Sequence, residues 1–154
     1  MSTTTDESGA LNAADIFQIL LSSEESFASP PQEVERNIRL VREAHPWARH
    51  HLLGEQDIRS VISDHFGEEV LAAYGRLAPN SFRANLARYC LLFLHGGLYV
   101  DVGIRFISAL RGPPDSGLVG FRDYWASATH ANAICQGLVL AKAGRPELNN
   151  KATK

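Results

Sequence analysis

The stretch Arg83-Ala-Asn-Leu-Ala-Arg-Tyr-Cys-Leu-Leu-Phe-Leu-His-Gly-Gly-Leu-Tyr-Val-Asp101 decides the fold of this 154-residue chain. Its first part predicts a buried helix over 82–95, because apolar residues recur there at spacings of three and one. Gly96-Gly97 ends that helix, since glycine readily takes the left-handed conformation found after a helix C-terminus. The segment 98–102 then predicts a strand, which carries Asp101 near its carboxyl end.

Upstream of this stretch the sequence predicts two strands and three helices. The apolar run 16–21 predicts a buried strand, and 48–53 a weaker one. A helix begins at Pro31 and ends at His45-Pro46, because the residue before a proline avoids the helical region. Asp57 is the expected N-cap of the next helix, which Gly67 breaks, and 68–77 forms a further short helix.

Downstream, 118–121 and 137–141 predict two more strands, and a short helix begins at Pro146. Strands that alternate with helices are typical of a layered α/β domain. We therefore expect one domain over residues 15–150. Residues 1–14 contain few large apolar side chains to bury, so we expect a disordered tail there.

The composition excludes several classes of protein. Apolar residues make up 45%, as in a globular protein, and 15 basic against 17 acidic residues argue against a nucleic-acid-binding surface. No run approaches the roughly 20 apolar residues that span a bilayer. The amino terminus lacks the basic start and apolar core of a secretory signal, and two cysteines do not make a disulfide framework. The expected location is the cytoplasm.

The residues around Asp101 suggest a binding site. Ligands of open α/β sheets bind at the carboxyl ends of strands, where Asp101 is expected. Arg83 and Arg88 supply fixed positive charge for phosphate or sugar hydroxyls. Two simpler interpretations stay open at this point. An aspartate at a strand end is also a common turn or cap residue, and a buried Arg88 is also explained by an internal pair with Asp101 or a glutamate.

The pattern Arg83-x₄-Arg88-Tyr89, an apolar helix and Gly96-Gly97-x-Tyr99-x-Asp101 resembles the sugar-nucleotide-binding region of glycosyltransferases with a DXD motif. That group includes yeast-type mannosyltransferases, capsular polysaccharide transferases and, more remotely, large clostridial glucosylating toxins. Softer resemblances extend the match to about 16–148, at Ile16-Phe17-Gln18-Ile19, His45-Pro46-Trp47, Gln136-Gly137 and Gly144-Arg145-Pro146.

The resemblance implies a GT-A-like nucleotide-sugar-binding domain, with a mixed central sheet flanked by helices. It implies transfer of a sugar from a nucleoside-diphosphate sugar to a carbohydrate or other hydroxyl acceptor, with retention of configuration, in polysaccharide biosynthesis. Asp101 would contact the ribose or a metal-bound water, and Tyr99 belongs to the same substrate-binding set. Asn85 and Arg88 would hold the donor sugar, and Arg83 the phosphate side or the helix. The resemblance assigns no catalytic residue. Trp47 and Trp125 are core residues or stack on a sugar: we expect Trp47 in the core, and both interpretations stay open for Trp125.

This chain departs from the pattern at the motif itself. Asp101 occupies the first DXD position and Gly103 the second, and Asn85 and Phe17 stand where the family usually has Asp and often has His. The resemblance implies Mn²⁺ or Mg²⁺ with Asp101 as a ligand. Because Gly103 contributes no side-chain oxygen, we expect weak or absent metal binding at this site.

The chain is short for a GT-A domain, so we expect a C-terminally shortened member of the fold. Apolar side chains of Leu138, Leu140 and the helix 82–94 would then lack a cover, which predicts self-association and no efficient sugar transfer by the isolated chain. Two alternatives stay open: a non-catalytic remnant that binds a nucleotide sugar or a partner protein, and a fragment completed by another chain.

Overall fold

A five-stranded sheet forms the centre of the computed structural model, which describes residues 4–5, 11–22, 30–110, 117–122 and 134–148. Three helices flank this sheet. In chain order the elements are β1 (Thr4–Thr5), β2 (Leu11–Asn12), β3 (Asp15–Ile19), α1 (Gln32–Ala44), β4 (Arg49–Leu53), α2 (Glu55–Arg76), α3 (Asn80–His95), β5 (Gly97–Val100), β6 (Leu118–Arg122) and β7 (Ile134–Ala141).

The strands of the central sheet lie in the order β4-β3-β5-β7-β6. β4, β3 and β5 are parallel, whereas β7 runs antiparallel to both β5 and β6. This mixed α/β architecture confirms the predicted fold class. β1 and β2 pair with each other in a separate two-stranded sheet, and the division into a tail and a domain stays a prediction.

Each face of the sheet carries its own core, because successive side chains of a strand point to opposite faces. Tyr99 of β5 packs with α2 and α3 in one core. Its neighbours Leu98 and Val100 pack with Val41 of α1 in the other. β3 and β5 are therefore buried on both faces, as their nearly continuous apolar sequences predict.

The helices follow the predicted pattern with local corrections. Gly67 lies inside α2 with a φ of 80°, so this glycine interrupts the helix as predicted. Asp57 is not the N-cap of α2: Gly54 holds that position, and its backbone N–H donates to Asp57 Oδ2 at 2.8 Å. Gly96 ends α3 with a φ of 65°, the expected left-handed conformation.

Two expectations about burial were wrong. Trp47, expected in the core, is 42% exposed, and Leu140, expected to lack a cover, is fully buried between the sheet and α1. Among the described residues, the most exposed large apolar side chains are those of Ile107, Ile134 and Phe82. Self-association of the chain stays a prediction. Trp125, considered as a sugar-stacking residue, lies outside the described residues.

Within the described residues, no helix is long and apolar enough to cross a membrane.

Candidate functional site

Asp101 follows β5 directly and lies over the neighbouring strand β7. Its backbone N–H donates to the carbonyl of Gly137 at 2.7 Å, which extends the ladder by one residue. The hydroxyl of Tyr99, two residues earlier on the same face, donates to Asp101 Oδ1 at 2.7 Å. A Cβ atom at position 137 would lie 2.6 Å from Asp101 Oδ2, so the carboxylate occupies space that only glycine leaves free. Strand pairing and Tyr99 thus fix this carboxylate.

Arg88 of α3 lies under the sheet, against the ring of Tyr99, and is only 1% exposed. Its Cζ atom lies 4.7 Å from the centre of the Tyr99 ring and 5.7 Å from that of Tyr89. Nη2 donates to Asn85 Oδ1, whereas Nε and Nη1 have no hydrogen-bond partner among the described residues. The expected internal pair with Asp101 or a glutamate is absent from the described contacts. A buried guanidinium with two free donors is costly unless a further group binds them.

The structure therefore brings together four of the five predicted binding residues. Asn85 and Arg88 are three positions apart on α3 and so face the same way, as helix geometry requires. Arg88 contacts the ring of Tyr99, and Tyr99 contacts Asp101. The cluster of Asn85, Arg88, Tyr99 and Asp101, called the Asp101 site below, offers guanidinium and amide donors beside a carboxylate acceptor. Such groups suit a ligand rich in hydroxyl or phosphate oxygens.

Arg83, the fifth predicted residue, has its contacts elsewhere. Its Nε and Nη2 atoms donate to the carbonyls of Leu77 and Gly75, at the end of α2, at 2.9 and 3.1 Å. Its guanidinium also lies 5.8 Å from the ring centre of Tyr74, whose hydroxyl donates to Glu55 at 2.8 Å. Arg83 was predicted to stabilise either the phosphate side or the helix. The described contacts match the second role, because Arg83 connects α3 to the C-terminal end of α2 by hydrogen bonds.

Burial raises the pKa of the Tyr99 phenol, and the adjacent Asp101 carboxylate raises it further, both by its charge and by its hydrogen bond. Arg88 acts in the opposite direction but more weakly. Tyr99 therefore stays protonated at neutral pH, as a donor in this hydrogen bond. The hydrogen bond keeps one carboxylate oxygen oriented and leaves Oδ2, above Gly137, as the acceptor for a ligand.

A cleft of about 340 Å³ adjoins this cluster. Tyr89, which contacts Arg88, forms one wall of the cleft, and Val139, the register partner of Tyr99, lies in its floor. Leu118 and Ile134 add apolar surface, and Glu147 supplies a carboxylate at the rim. The cleft extends from Tyr89 over β6 and β7.

The groups around Asp101 do not fit a protein-held divalent cation. Such ions take six or more oxygen ligands, with carboxylates the preferred protein donors. Asp101 Oδ1 already accepts the Tyr99 hydroxyl, and Gly103 has no side-chain oxygen. Nowhere in the described ranges do three His, Cys, Asp or Glu side chains lie close enough to share a metal.

Two residues that the sequence analysis did not assign to the site bind the backbone of the segment after Asp101. Asn37 of α1 donates from Nδ2 to the carbonyl of Val102 at 3.2 Å, and His45 Nε2 accepts from the backbone N–H of Leu110 at 3.2 Å. Both side chains are buried. The one signal in the sequence was the position of Asn37, a polar residue on the otherwise apolar face with Ile38 and Val41.

Comparisons with known proteins identify a family and relatives of this chain. The model of a family described as the glycosyltransferase sugar-binding region containing a DXD motif matches residues 31–115. The initiation-specific alpha-1,6-mannosyltransferase of Schizosaccharomyces pombe is 24% identical over an alignment 140 positions long, which includes 76% of this chain and 34% of the mannosyltransferase. This chain thus spans about a third of the length of that relative.

Among solved structures, the PaToxG glycosyltransferase has a similar fold. The two superpose with a TM-score of 0.59 at 14% sequence identity, over 91% of this chain and 58% of the other. The matched part of this chain includes nearly all of its length.

Proposed function

This chain belongs to the family of glycosyltransferases whose sugar-binding region contains a DXD motif, and we propose that its Asp101 site binds a nucleoside-diphosphate sugar. Membership of the family supports a role in sugar transfer. The chain spans about a third of the mannosyltransferase that it resembles, so the donor, the acceptor and the reaction are all part of the proposal.

The observation that carries the proposal is the state of Arg88. Its charge is withdrawn from water, yet two of its donor nitrogens have no partner among the described residues. A fold that keeps such a group loses stability, because a buried charge needs a partner to offset its desolvation. An oxygen-rich ligand supplies that partner. Phosphate and sugar hydroxyl oxygens both accept from a guanidinium, whose fork of N–H groups binds two oxygens at once.

The other residues have complementary roles in this proposal. Asn85 accepts from Arg88 Nη2 and thereby orients the guanidinium, which leaves Nε and Nη1 to the ligand. Asp101 accepts from hydroxyl groups of the sugar or the ribose, with the carboxylate held by Tyr99. The adjoining cleft beside Tyr89 receives the part of the ligand that extends beyond Arg88.

The proposal extends to transfer of the sugar onto a carbohydrate or other hydroxyl acceptor, with retention of configuration, as the resemblance implies. It also includes a part in polysaccharide biosynthesis and a cytoplasmic location. Members of this family generally use a divalent metal. Since the side chains around Asp101 do not fit one, no step is assigned to a metal here.

A second candidate function is binding of the donor without transfer. Gly103 favours it, because this glycine replaces the second carboxylate of the motif that gives the family its name. The two candidates share the Asp101 site and differ in turnover alone.

The test is binding and turnover with a defined panel: UDP, GDP, UDP-glucose, UDP-N-acetylglucosamine and GDP-mannose, each with and without Mn²⁺. Thermal shift identifies the ligand that binds, and calorimetry gives its affinity. Arg88→Gln should abolish binding, whereas Arg83→Gln, the matched control on the same helix, should leave the affinity unchanged. Hydrolysis of the bound donor, or transfer to an added sugar, supports the enzyme, and binding without turnover supports the second candidate. If no member of the panel binds, the proposal is wrong.

A further inference from the structure

Asp101 begins a stretch, residues 101–110, that contains no helix or strand and is called the Asp101 segment below. Within it the chain turns at once, because the N–H of Ile104 donates to the carbonyl of Asp101 at 2.9 Å. Among the described residues, no strand ladder holds this segment after the bond between Asp101 and Gly137. Side chains of other elements bind its backbone instead.

α1 and its C-cap residue, His45, supply those side chains at the two ends of the segment. Asn37, 5% exposed, donates to the carbonyl of Val102, the residue next to Asp101. His45, 2% exposed, accepts from the N–H of Leu110 and contacts the ring of Phe106 edge-on, with 5.1 Å between ring centres. Each bond joins residues 65 positions apart in the chain.

The chemistry of each bond restricts the residue that can make it. The carbonyl of Val102 needs a donor, which the amide of Asn37 has and a carboxylate lacks. The N–H of Leu110 needs an acceptor, so His45 Nε2 is unprotonated and Nδ1–H donates to the carbonyl of Val41 at 2.9 Å. Burial lowers the pKa of His45, which keeps the imidazole neutral as this arrangement requires.

We propose that Asn37 and His45 are positioning residues, which act through the backbone of the Asp101 segment to hold Asp101 in its ligand-binding geometry. The inference rests on the proposed function, since it concerns the same site. α1 lies on the face of the sheet opposite α3, so neither residue belongs to the core that holds Arg88. Their effect reaches the ligand through Asp101.

The first experiment measures hydrogen exchange, which needs no ligand. In Asn37→Asp and His45→Ala, the amides of Ile104 and Leu110 should exchange at least about 10-fold faster, while those of β3 keep their wild-type rates. His45→Gln, which replaces Nε2 by an acceptor oxygen, should restore the rate at Leu110. Ile58→Val, in the core on the opposite face, is the control for a general loss of stability and should not accelerate Ile104 or Leu110 selectively. Unchanged exchange at both amides in the two variants would overturn the proposal.

The second experiment is a double-mutant cycle on affinity, with the member of the panel that binds the wild-type chain. Asn37→Asp should weaken binding about 10-fold in the wild-type background and have no further effect in an Asp101→Asn background, since it acts through that carboxylate. If the two losses add, Asn37 does not act through Asp101 and the proposal is wrong. If no member of the panel binds, the proposed function fails, and the exchange rates alone then decide whether α1 holds the segment. Asn37→Leu, which is similar in size and lacks a donor, replaces Asn37→Asp if that variant does not fold.

Discussion

The carboxylate of Asp101 lies directly over the α-carbon of Gly137, so close that a Cβ atom there would be 2.6 Å from Oδ2. Real Cβ atoms essentially never make contacts this short. Gly137 is thus required by the position of a side chain on the neighbouring strand.

Gly137→Ala should therefore move the Asp101 carboxylate and weaken donor binding. We expect affinity to fall about 10-fold or more, equivalent to at least about 1.4 kcal/mol, by calorimetry with the nucleotide sugar that binds. Gly103→Ala is the matched control, since a Cβ at 103 meets no atom within 4 Å. Equal affinities for the two variants would contradict this account of Gly137.

Arg88 and Arg83 should respond oppositely to replacement by methionine, an apolar residue of similar length. Arg88→Met removes a buried charge with two unpaired donors, so the free energy of unfolding should rise by about 1 kcal/mol while donor binding is lost. Arg83→Met removes hydrogen bonds to the carbonyls of Gly75 and Leu77. The free energy of unfolding of this variant should therefore fall by about 1–3 kcal/mol, while donor binding stays intact. Urea unfolding and ligand titration of both variants test this. Loss of stability in Arg88→Met would show that the arginine has an internal role.

Gly103→Asp should create a metal site where the natural residue gives a poor one. The position is open, so the new side chain fits, and it adds a second carboxylate two residues from Asp101. We expect Mn²⁺ affinity, measured by calorimetry in the presence of the nucleotide, to increase markedly. Gly103→Asn provides the control of similar shape without the charge. Tight nucleotide-dependent Mn²⁺ binding by the unmodified chain would mean that another group replaces the missing ligand.

The free energy of unfolding should fall as the pH is lowered, because His50 is half-buried in its neutral form. Burial lowers its pKa to about 4, helped by the nearby charges of Arg42 and His51. Its Nδ1 accepts from Arg42 Nε, and its Nε2–H donates to the buried Gln18. Between pH 6.5 and about 4 the unfolded chain thus binds a proton that the folded chain excludes. This contribution to stability is complete above pH 6.5 and is lost as the pH falls.

The loss from His50 is well below about 3 kcal/mol, the value from 1.36 kcal/mol per pKa unit, because solvent screens this half-buried imidazole. Urea unfolding at several pH values between 7 and 4.5 measures it. His50→Gln should reduce the slope over this interval. Part of the slope should remain, since burial also lowers the pKa of His45 and His95. An unchanged slope in His50→Gln would rule out this role for the imidazole.

The features that the sequence predicted well are formed by residues close together in the chain. The apolar spacing of α3, the glycine pair after it and the short strand that carries Asp101 lie within 20 residues of one another. Helix geometry also separates the two arginines: at about 100° per residue, five positions place Arg83 about 140° around the helix from Arg88. Asn85 is three positions from Arg88 and shares its face. The sequence alone could thus have suggested that Arg83 and Arg88 bind different partners.

What the sequence did not predict depends on distant pairs of residues. Asn37 binds the carbonyl of Val102 because α1 and the Asp101 segment pack on the same face of the sheet. No sequence pattern within α1 or within the Asp101 segment predicts that contact. Trp47 was expected in the core, yet it follows α1 at the surface, edge-on to His45. The position of Asp101 over Gly137 likewise depends on the pairing of β5 with β7.

Tyr99 and Val100, consecutive residues of β5, lie in the two different cores, and Asp101 is the next residue along. Any local opening that frees α1 or α3 therefore disturbs the same carboxylate. A ligand that binds the closed arrangement makes both kinds of opening rarer by the same factor, because it binds neither opened form. Since proteases cut the opened forms, the lifetime of the whole chain follows the concentration of free ligand.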